Sequence, residues 1–301
     1  MSARRCFPLF LLAAFPLALP AQTRVPAPSQ LHDEIVRIAA QAHGRVGVSC
    51  AVPGKALNCS LNSSAQLPMM SVYKLPIAVA VLHAVETGKL SLAQTLHFVP
   101  SDLIAPTGYS PLRDQHPHGA VHMTVEELLR RSIVDSDNVA SDVLLRAIGG
   151  PSAAQQYLAS IVIYGIQIRD YEGDQDRNLQ LLYRNVGEAH SLVGLLLRLS
   201  QRSPLTPAHT QLLLGWMAAS HTGDQRLGAL LPPGTVVAGK TGSAGQDRTT
   251  LNATNDVGLI TLPDGRRLAI AVLIADSSAP FAVRQRVIAE IARAIYNAAV
   301  K

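Results

Sequence analysis

Ser71-Val72-Tyr73-Lys74 opens the apolar run Leu75 to Leu82, and a spacing of three along a helix returns the Lys74 amine to the face that carries the Ser71 hydroxyl. A serine hydroxyl attacks poorly at neutral pH unless a neighbouring base takes its proton. Lys74 is the base this spacing offers. Two further polar triplets stand at element boundaries. Ser136-Asp137-Asn138 separates two helical stretches, and Lys240-Thr241-Gly242-Ser243 follows the strand-like Thr235 to Ala238. Taken singly, each has an ordinary structural reading: a helix start, an N-cap and a strand end turning at Gly242.

In this order and with this wide spacing, the three motifs match the set found in class A β-lactamases and penicillin-binding proteins. The chain resembles a class A serine β-lactamase over nearly all of its length past the first residues. Tyr109-Ser110-Pro111-Leu112-Arg113-Asp114 and Thr222-Gly223-Asp224-Gln225-Arg226-Leu227 resemble the extended-spectrum cephalosporinase branch. The resemblance implies that Ser71 attacks the lactam carbonyl, that Lys74 helps to activate it, and that Ser136 passes a proton to the leaving nitrogen. Backbone N–H groups of Ser71 and Ser243 would form the oxyanion hole, and Lys240 would add positive charge beside Ser136. Asn138 would hold the substrate's acylamide. Thr241, Gly242 and Ser243, supported by Arg226, would hold its carboxylate, and Tyr109 would wall the entrance.

Glu172 is the only glutamate between Glu127 and Glu188, and it lies in a polar stretch, Arg169 to Asp176, without helical period. The resemblance makes it the base that frees the acylated serine, and makes Asp176 a ligand of the attacking water where relatives often carry asparagine. Two such carboxylates repel when both are ionised, which raises the pKa of one. The implied activity is hydrolysis of β-lactam antibiotics, with resistance as its consequence and with no metal or organic cofactor. A D-alanyl-D-alanine peptidase or a non-hydrolysing β-lactam sensor of the same fold is the alternative.

The elements that must position these residues come from both ends of the chain. Leu31, Ile35, Ile38 and Ala42 recur at helical spacing, and Val46-Gly47-Val48-Ser49 and Ala56-Leu57-Asn58 flank the turn Pro53-Gly54-Lys55. Leu259 to Leu262 and Leu268 to Val272 read as strands joined at Pro263-Asp264-Gly265, and Val283 to Ile295 as a closing helix. The middle is helical. Thr124 with Glu127 suggests a capping box, a helix from Asn138 ends at Gly149-Gly150, and Pro151 opens the next. The expected class is α+β: an antiparallel sheet from both chain ends, packed by the terminal helices as an α/β/α sandwich, with an all-helical lobe and the site in the cleft. This is the serine β-lactamase/penicillin-binding-protein transpeptidase-like fold. The expected lobes are about 28–64 with 225–301, and 65–224.

Arg4 and Arg5, the apolar run Phe7 to Leu19 and Pro20-Ala21 read as a signal peptide over residues 1–21. The expectation is an exported protein, periplasmic or secreted, monomeric, and not membrane-bound after processing. Loss of Arg4 and Arg5 lowers the formal charge from +5 to +3 and leaves no basic block to follow a phosphate backbone, which argues against nucleic acid. Cys50 and Cys59 would face each other across the first hairpin, and in an oxidising compartment they are expected to pair rather than stay free. His116, His118 and His122 invite a metal reading, but no carboxylate or cysteine lies between His118 and His122, and Pro117 and Gly119 mark a solvated loop. Gly234 to Thr241 satisfies a phosphate-loop pattern, yet Pro232-Pro233 stand where that motif needs a strand.

Overall fold

The structure, a computed structural model, describes residues 30–104, 108–119, 121–244 and 252–301. The expected signal peptide lies outside these residues. The chain opens with α1 (Gln30–Ala39), β1 (Arg45–Ala51), β2 (Leu67–Pro68), α2 (Lys74–Glu86) and β3 (Thr95–Phe98). It continues through α3 (Pro111–Gln115), β4 (Val121–Thr124), α4 (Val125–Arg130), α5 (Asn138–Ala147), α6 (Pro151–Ser160) and α7 (Glu172–Arg177). Next come β5 (Val186–Gly187), α8 (Ala189–Gln201) and α9 (Pro207–Ala218), and then β6 (Val237–Ala244), β7 (Ala253–Thr261), β8 (Arg267–Ala275) and α10 (Phe281–Val300).

β1, β8, β7 and β6 pair in that order into one antiparallel sheet. β8 reads as an unbroken apolar run because both faces of the sheet are covered. Leu268, Ile270, Val272 and Ile274 pack with Ile35, Ile38, Ile288 and Ile291 of α1 and α10. Ala269, Ala271, Leu273 and Ala275 belong to the second core, which gathers α2, α5 and α8. Every residue of α2 from Lys74 to Leu82 is buried, so this helix is apolar all round, as a core helix must be. Each fully buried Leu or Ile contributes roughly 2 kcal/mol against exposure, and that burial is what holds the polar Lys74 in the interior.

Three local expectations are revised. The first hairpin is not a regular one: β1 takes its ladder partner from β8, with Cys50 opposite Ile270, and the returning chain makes only the bridges Val52–Lys55 and Val48–Leu61. Pro53 lacks a donor there, yet the return still brings Cys59 to Cys50, and the two form a disulfide. The strand bearing Lys240 does not end at Gly242 but runs on to Ala244. Thr124 does cap α4 by accepting from Glu127 N at 3.2 Å. Half of the capping box is missing, because the Glu127 carboxylate is taken by Arg130 and Arg131 at 2.9 and 2.8 Å.

Candidate active site

Ser71 sits in a turn of 3-10 helix, Met70–Tyr73, that leads into α2. The turn makes Lys74 the first residue of a helix whose whole apolar surface is packed, so the amine is fixed at the cleft floor with no exposure. Lys74 Nζ lies 3.1 Å from Ser71 Oγ, 2.7 Å from Ser136 O, 2.5 Å from Asn138 Oδ1 and 3.1 Å from Glu172 Oε1. Four oxygens thus surround a group that carries three hydrogens at most. Three of the four contacts at most can therefore be hydrogen bonds donated by the amine at one time, and the hydrogens can be redistributed among Ser71, Ser136, Asn138 and Glu172.

Ser136 follows a π-helical turn, Arg131–Asp135, in the left-handed conformation with φ 59°. That turn lets its two oxygens serve two lysines, since Ser136 Oγ accepts from Lys240 Nζ at 2.8 Å while its carbonyl accepts from Lys74. Asp137 is both the N-cap the sequence suggests and an anchor. It accepts from Ala140 N at 2.9 Å, Ser110 Oγ at 2.8 Å and Leu112 N at 2.6 Å. Asn138 opens α5, and with Oδ1 committed to Lys74 its amide hydrogens remain for a ligand. Tyr109 stands beside it, its carbonyl accepting from Asn138 N at 3.3 Å, and its ring is 58% exposed at the rim.

Lys240 is wholly buried on β6 and donates to Thr241 O at 3.0 Å as well as to Ser136. Burial, followed by the Lys74 charge, holds its ammonium well below the usual lysine range. Gly242 explains why the strand continues past it: a Cβ there would collide with Met69 O and come within 3.1 Å of Ser71 N. The glycine marks a close approach of two backbones, not a turn. Arg226 is almost fully buried and donates to Asn255 O at 2.7 Å, Gly242 O at 3.3 Å and Ser243 Oγ at 2.5 Å. Its guanidinium therefore reaches the cleft through Ser243. Thr241 Oγ1 is 2.8 Å from Thr222 Oγ1, which ties the strand to the loop that carries Arg226.

The Glu172 segment departs most from expectation, because Glu172 starts a short helix, α7, where the sequence suggests an aperiodic loop. The cause is Asp142, whose carboxylate accepts from Glu172 N and Gly173 N, both at 2.8 Å. A carboxylate on two free N–H groups stabilises a helix start. Burial and the Glu172 charge push Asp142 up to about 8, against the pull of those two hydrogen bonds. Asp176, on α7, is likewise pushed up to about 6 by burial and by Glu172. Asn185 holds the far end of the segment: its Oδ1 accepts from Arg169 N and Asp170 N at 2.7 and 3.1 Å, and its Nδ2 donates to Asp170 O at 2.9 Å.

The cleft thus brings together Ser71, Lys74, Ser136, Asn138, Glu172 and Lys240, with Thr241, Ser243 and Arg226 along β6 and Tyr109 at the rim. The sequence reading missed Asp142, Thr222 and Asn255. Asp142 could have been found as a carboxylate one helical turn beyond Asn138. Thr222 lies in a stretch that carries the family resemblance, but nothing local gives it or Asn255 a role. His122 stacks on His97 across the β3–β4 pair, ring centroids 4.5 Å apart, and among the described residues no group of three or more His, Cys, Asp or Glu is placed to hold a metal ion. The phosphate-loop pattern folds as a turn at Gly234, φ 80°, followed by β6, without the helix that phosphate binding needs.

The β-lactamase enzyme family matches residues 30–299. The extended-spectrum β-lactamase PER-1 of Pseudomonas aeruginosa is 34% identical over 267 residues, which is 89% of this chain and 86% of that protein. The β-lactamase VEB-1 of the same organism is 32% identical over 257 residues, 85% of each. Among solved structures, a β-lactamase from Chitinophaga pinensis superposes with a TM-score of 0.85 at 35% identity, covering 90% of this chain and all of that one. The TLA-3 extended-spectrum β-lactamase gives 0.85 at 32% identity, covering 90% and 98%. The fold, the three motifs assembled in one cleft and these relatives agree, and the chain belongs to the class A serine β-lactamases.

Proposed function

We propose that this β-lactamase works through an ester on Ser71. Ser71 Oγ attacks the lactam carbonyl carbon while its proton leaves to Lys74, and the ring C–N bond breaks as Ser136 gives its hydroxyl proton to the nitrogen and is reprotonated with the one that Lys74 took up. The oxyanion would lie against the N–H groups of Ser71 and Ser243, donors of a kind that each supply about 3 kcal/mol. Glu172 then takes a proton from a water that attacks the ester carbonyl, the bond from that carbon to Ser71 Oγ breaks, and the proton held by Glu172 returns to Ser71 Oγ by way of Lys74. Asn138 orients the acylamide, and Thr241 and Ser243, with Arg226 behind them, receive the carboxylate. The single observation that carries this assignment is Lys74 Nζ in contact with Ser71, Ser136, Asn138 and Glu172 at once.

The substrates are penicillins and cephalosporins, and the extended-spectrum names of the relatives support oxyimino cephalosporins among them. One chain supplies every group named above, which is compatible with a monomer, and the enzyme is proposed to act as one and as an exported protein. Among the described residues no helix is long and apolar enough to cross a membrane. With a chromogenic cephalosporin this assignment expects many turnovers per active site. A stoichiometric burst without turnover would point to the peptidase or the sensor. Ser71→Ala should remove turnover by at least about 10⁴-fold and leave no covalent adduct in the intact mass.

A further inference from the structure

Met70, the residue before the nucleophile, has φ 48°. A side chain larger than glycine holds that left-handed conformation only where its surroundings fix it. Here two asparagines do so. The carbonyl of Asn185 accepts from Met69 N at 2.9 Å, and Asn255 Nδ2 donates to Met69 O at 3.0 Å and Pro68 O at 2.9 Å. Asn255 lies on β7 with no exposure. Its Oδ1 accepts from Ile274 N at 3.0 Å, and its carbonyl accepts from Arg226 Nη1 at 2.7 Å. Its partner across the sheet is Gly242, whose missing side chain makes the room that Met69 O occupies.

The Met69 carbonyl and the Ser71 N–H belong to the two peptide planes that flank Met70. With the first plane held, the left-handed φ of 48° at Met70 sets the direction in which the chain enters the second. We propose that Asn255 is a positioning residue for acylation: its amide clamps the Met69 peptide and thereby holds Ser71 and its N–H in attacking geometry. The same residue ties this clamp to Arg226, so the nucleophile and the carboxylate anchor are referenced to one point on β7. The inference rests on Ser71 being the nucleophile.

Asn255→Asp keeps the shape and the acceptor for Ile274 N but turns the donor into an oxygen facing two carbonyls. Asn255→Ser keeps one short donor. Acylation and deacylation rates are measured separately by stopped flow on the chromogenic cephalosporin and divided by the active sites counted as Ser71 adducts. Misplacing a reacting group by about an ångström costs on the order of 100-fold, so Asn255→Asp should slow acylation about 10- to 100-fold and Asn255→Ser by less, with decay of the formed adduct slowed as well, since its tetrahedral intermediate uses the same Ser71 N–H. Ile260→Ala, in the same strand but within the core shared with α1 and α10, should lower Tm while leaving the per-site acylation rate intact, which is how a merely structural residue behaves. Wild-type acylation per site in both Asn255 variants overturns the proposal. If Asn255→Asp does not fold, Asn255→Ser decides alone, and turnover surviving in Ser71→Ala would instead overturn the nucleophile assignment.

Discussion

The two halves of the cleft are built on opposite electrostatic plans. On the side proposed to acylate, two buried lysines face hydroxyls, a carbonyl and an amide, and nearly every contact is one strong hydrogen bond between helix α2, the Ser136 turn and strand β6. On the side proposed to deacylate, Glu172 shares a small volume with Asp142 and Asp176, both of which hold their protons to unusually high pH because they are buried near it. A site made of donors facing acceptors is rigid, although burial and the Lys74 charge lower the Lys240 ammonium there. One made of like charges is adjustable and pH-sensitive. The difference predicts that substitutions on the first side abolish chemistry, whereas those on the second side retune it.

Glu172 is the sharpest test, since it belongs to both plans through its 3.1 Å contact with Lys74. Glu172→Gln should slow release of the ester by about 10²- to 10⁴-fold, the usual worth of a general base, while acylation stays measurable and a covalent adduct accumulates on Ser71. Full turnover in that variant would remove the base assignment and with it the division of the cleft.

The same contrast governs what the sequence could tell. Ser71 and Lys74 are read from one helical turn, and Ser136-Asp137-Asn138 from a helix boundary, because their geometry is set by neighbours in the chain. Helix α7 was not legible: its six residues hold no apolar period, and the cap that makes them helical comes from Asp142, 30 residues earlier. β6 was read as turning at Gly242 because a glycine in a strand has two meanings, and only the chain packed above it chooses close approach. The Asn255 clamp spans 186 residues. Element types and motif order were local facts, and the supports of the site were not.

Asp142→Asn comes next in expected size. A carboxyl raised from 3.8 to about 8 keeps its proton in the folded protein where the unfolded chain has lost it. Folding then takes up a proton in that window, and this group's contribution to stability falls as pH rises from about 4 to about 8. Asparagine does not titrate, so the variant's Tm should decline less between pH 5 and 8 than that of the wild type, as read by differential scanning fluorimetry. It also caps less well, because one of the two oxygens becomes an NH₂, and adduct release should slow by about tenfold. An unchanged Tm slope would place the titrating carboxyl elsewhere.

Asp176→Asn should be milder. Asp176 and Glu172 repel when both are ionised. Removing one charge should shift the acidic limb of the kcat profile to lower pH and change kcat at pH 7.5 by less than about tenfold, measured from pH 4.5 to 8. An unmoved limb would mean that Asp176 does not sense the base at all.

The smallest effect on chemistry is expected at the sheet edge farthest from β6. Cys50 and Cys59 close a short loop outside β1, and β1 is separated from β6 by β8 and β7. In the chain-entropy picture, cross-linking residues nine apart stabilises the fold by about 2–3 kcal/mol, chiefly by restricting the unfolded chain. A change that acts on the unfolded state leaves the folded cleft as it was. Cys50→Ser with Cys59→Ser should therefore lower Tm by several degrees, yet keep kcat and kcat/KM for the chromogenic cephalosporin at wild-type values at 25 °C. If instead acylation slowed while the protein remained folded, the sheet would be transmitting strain from its outer strand to Asn255 and Gly242, and the cleft could no longer be treated as two local halves.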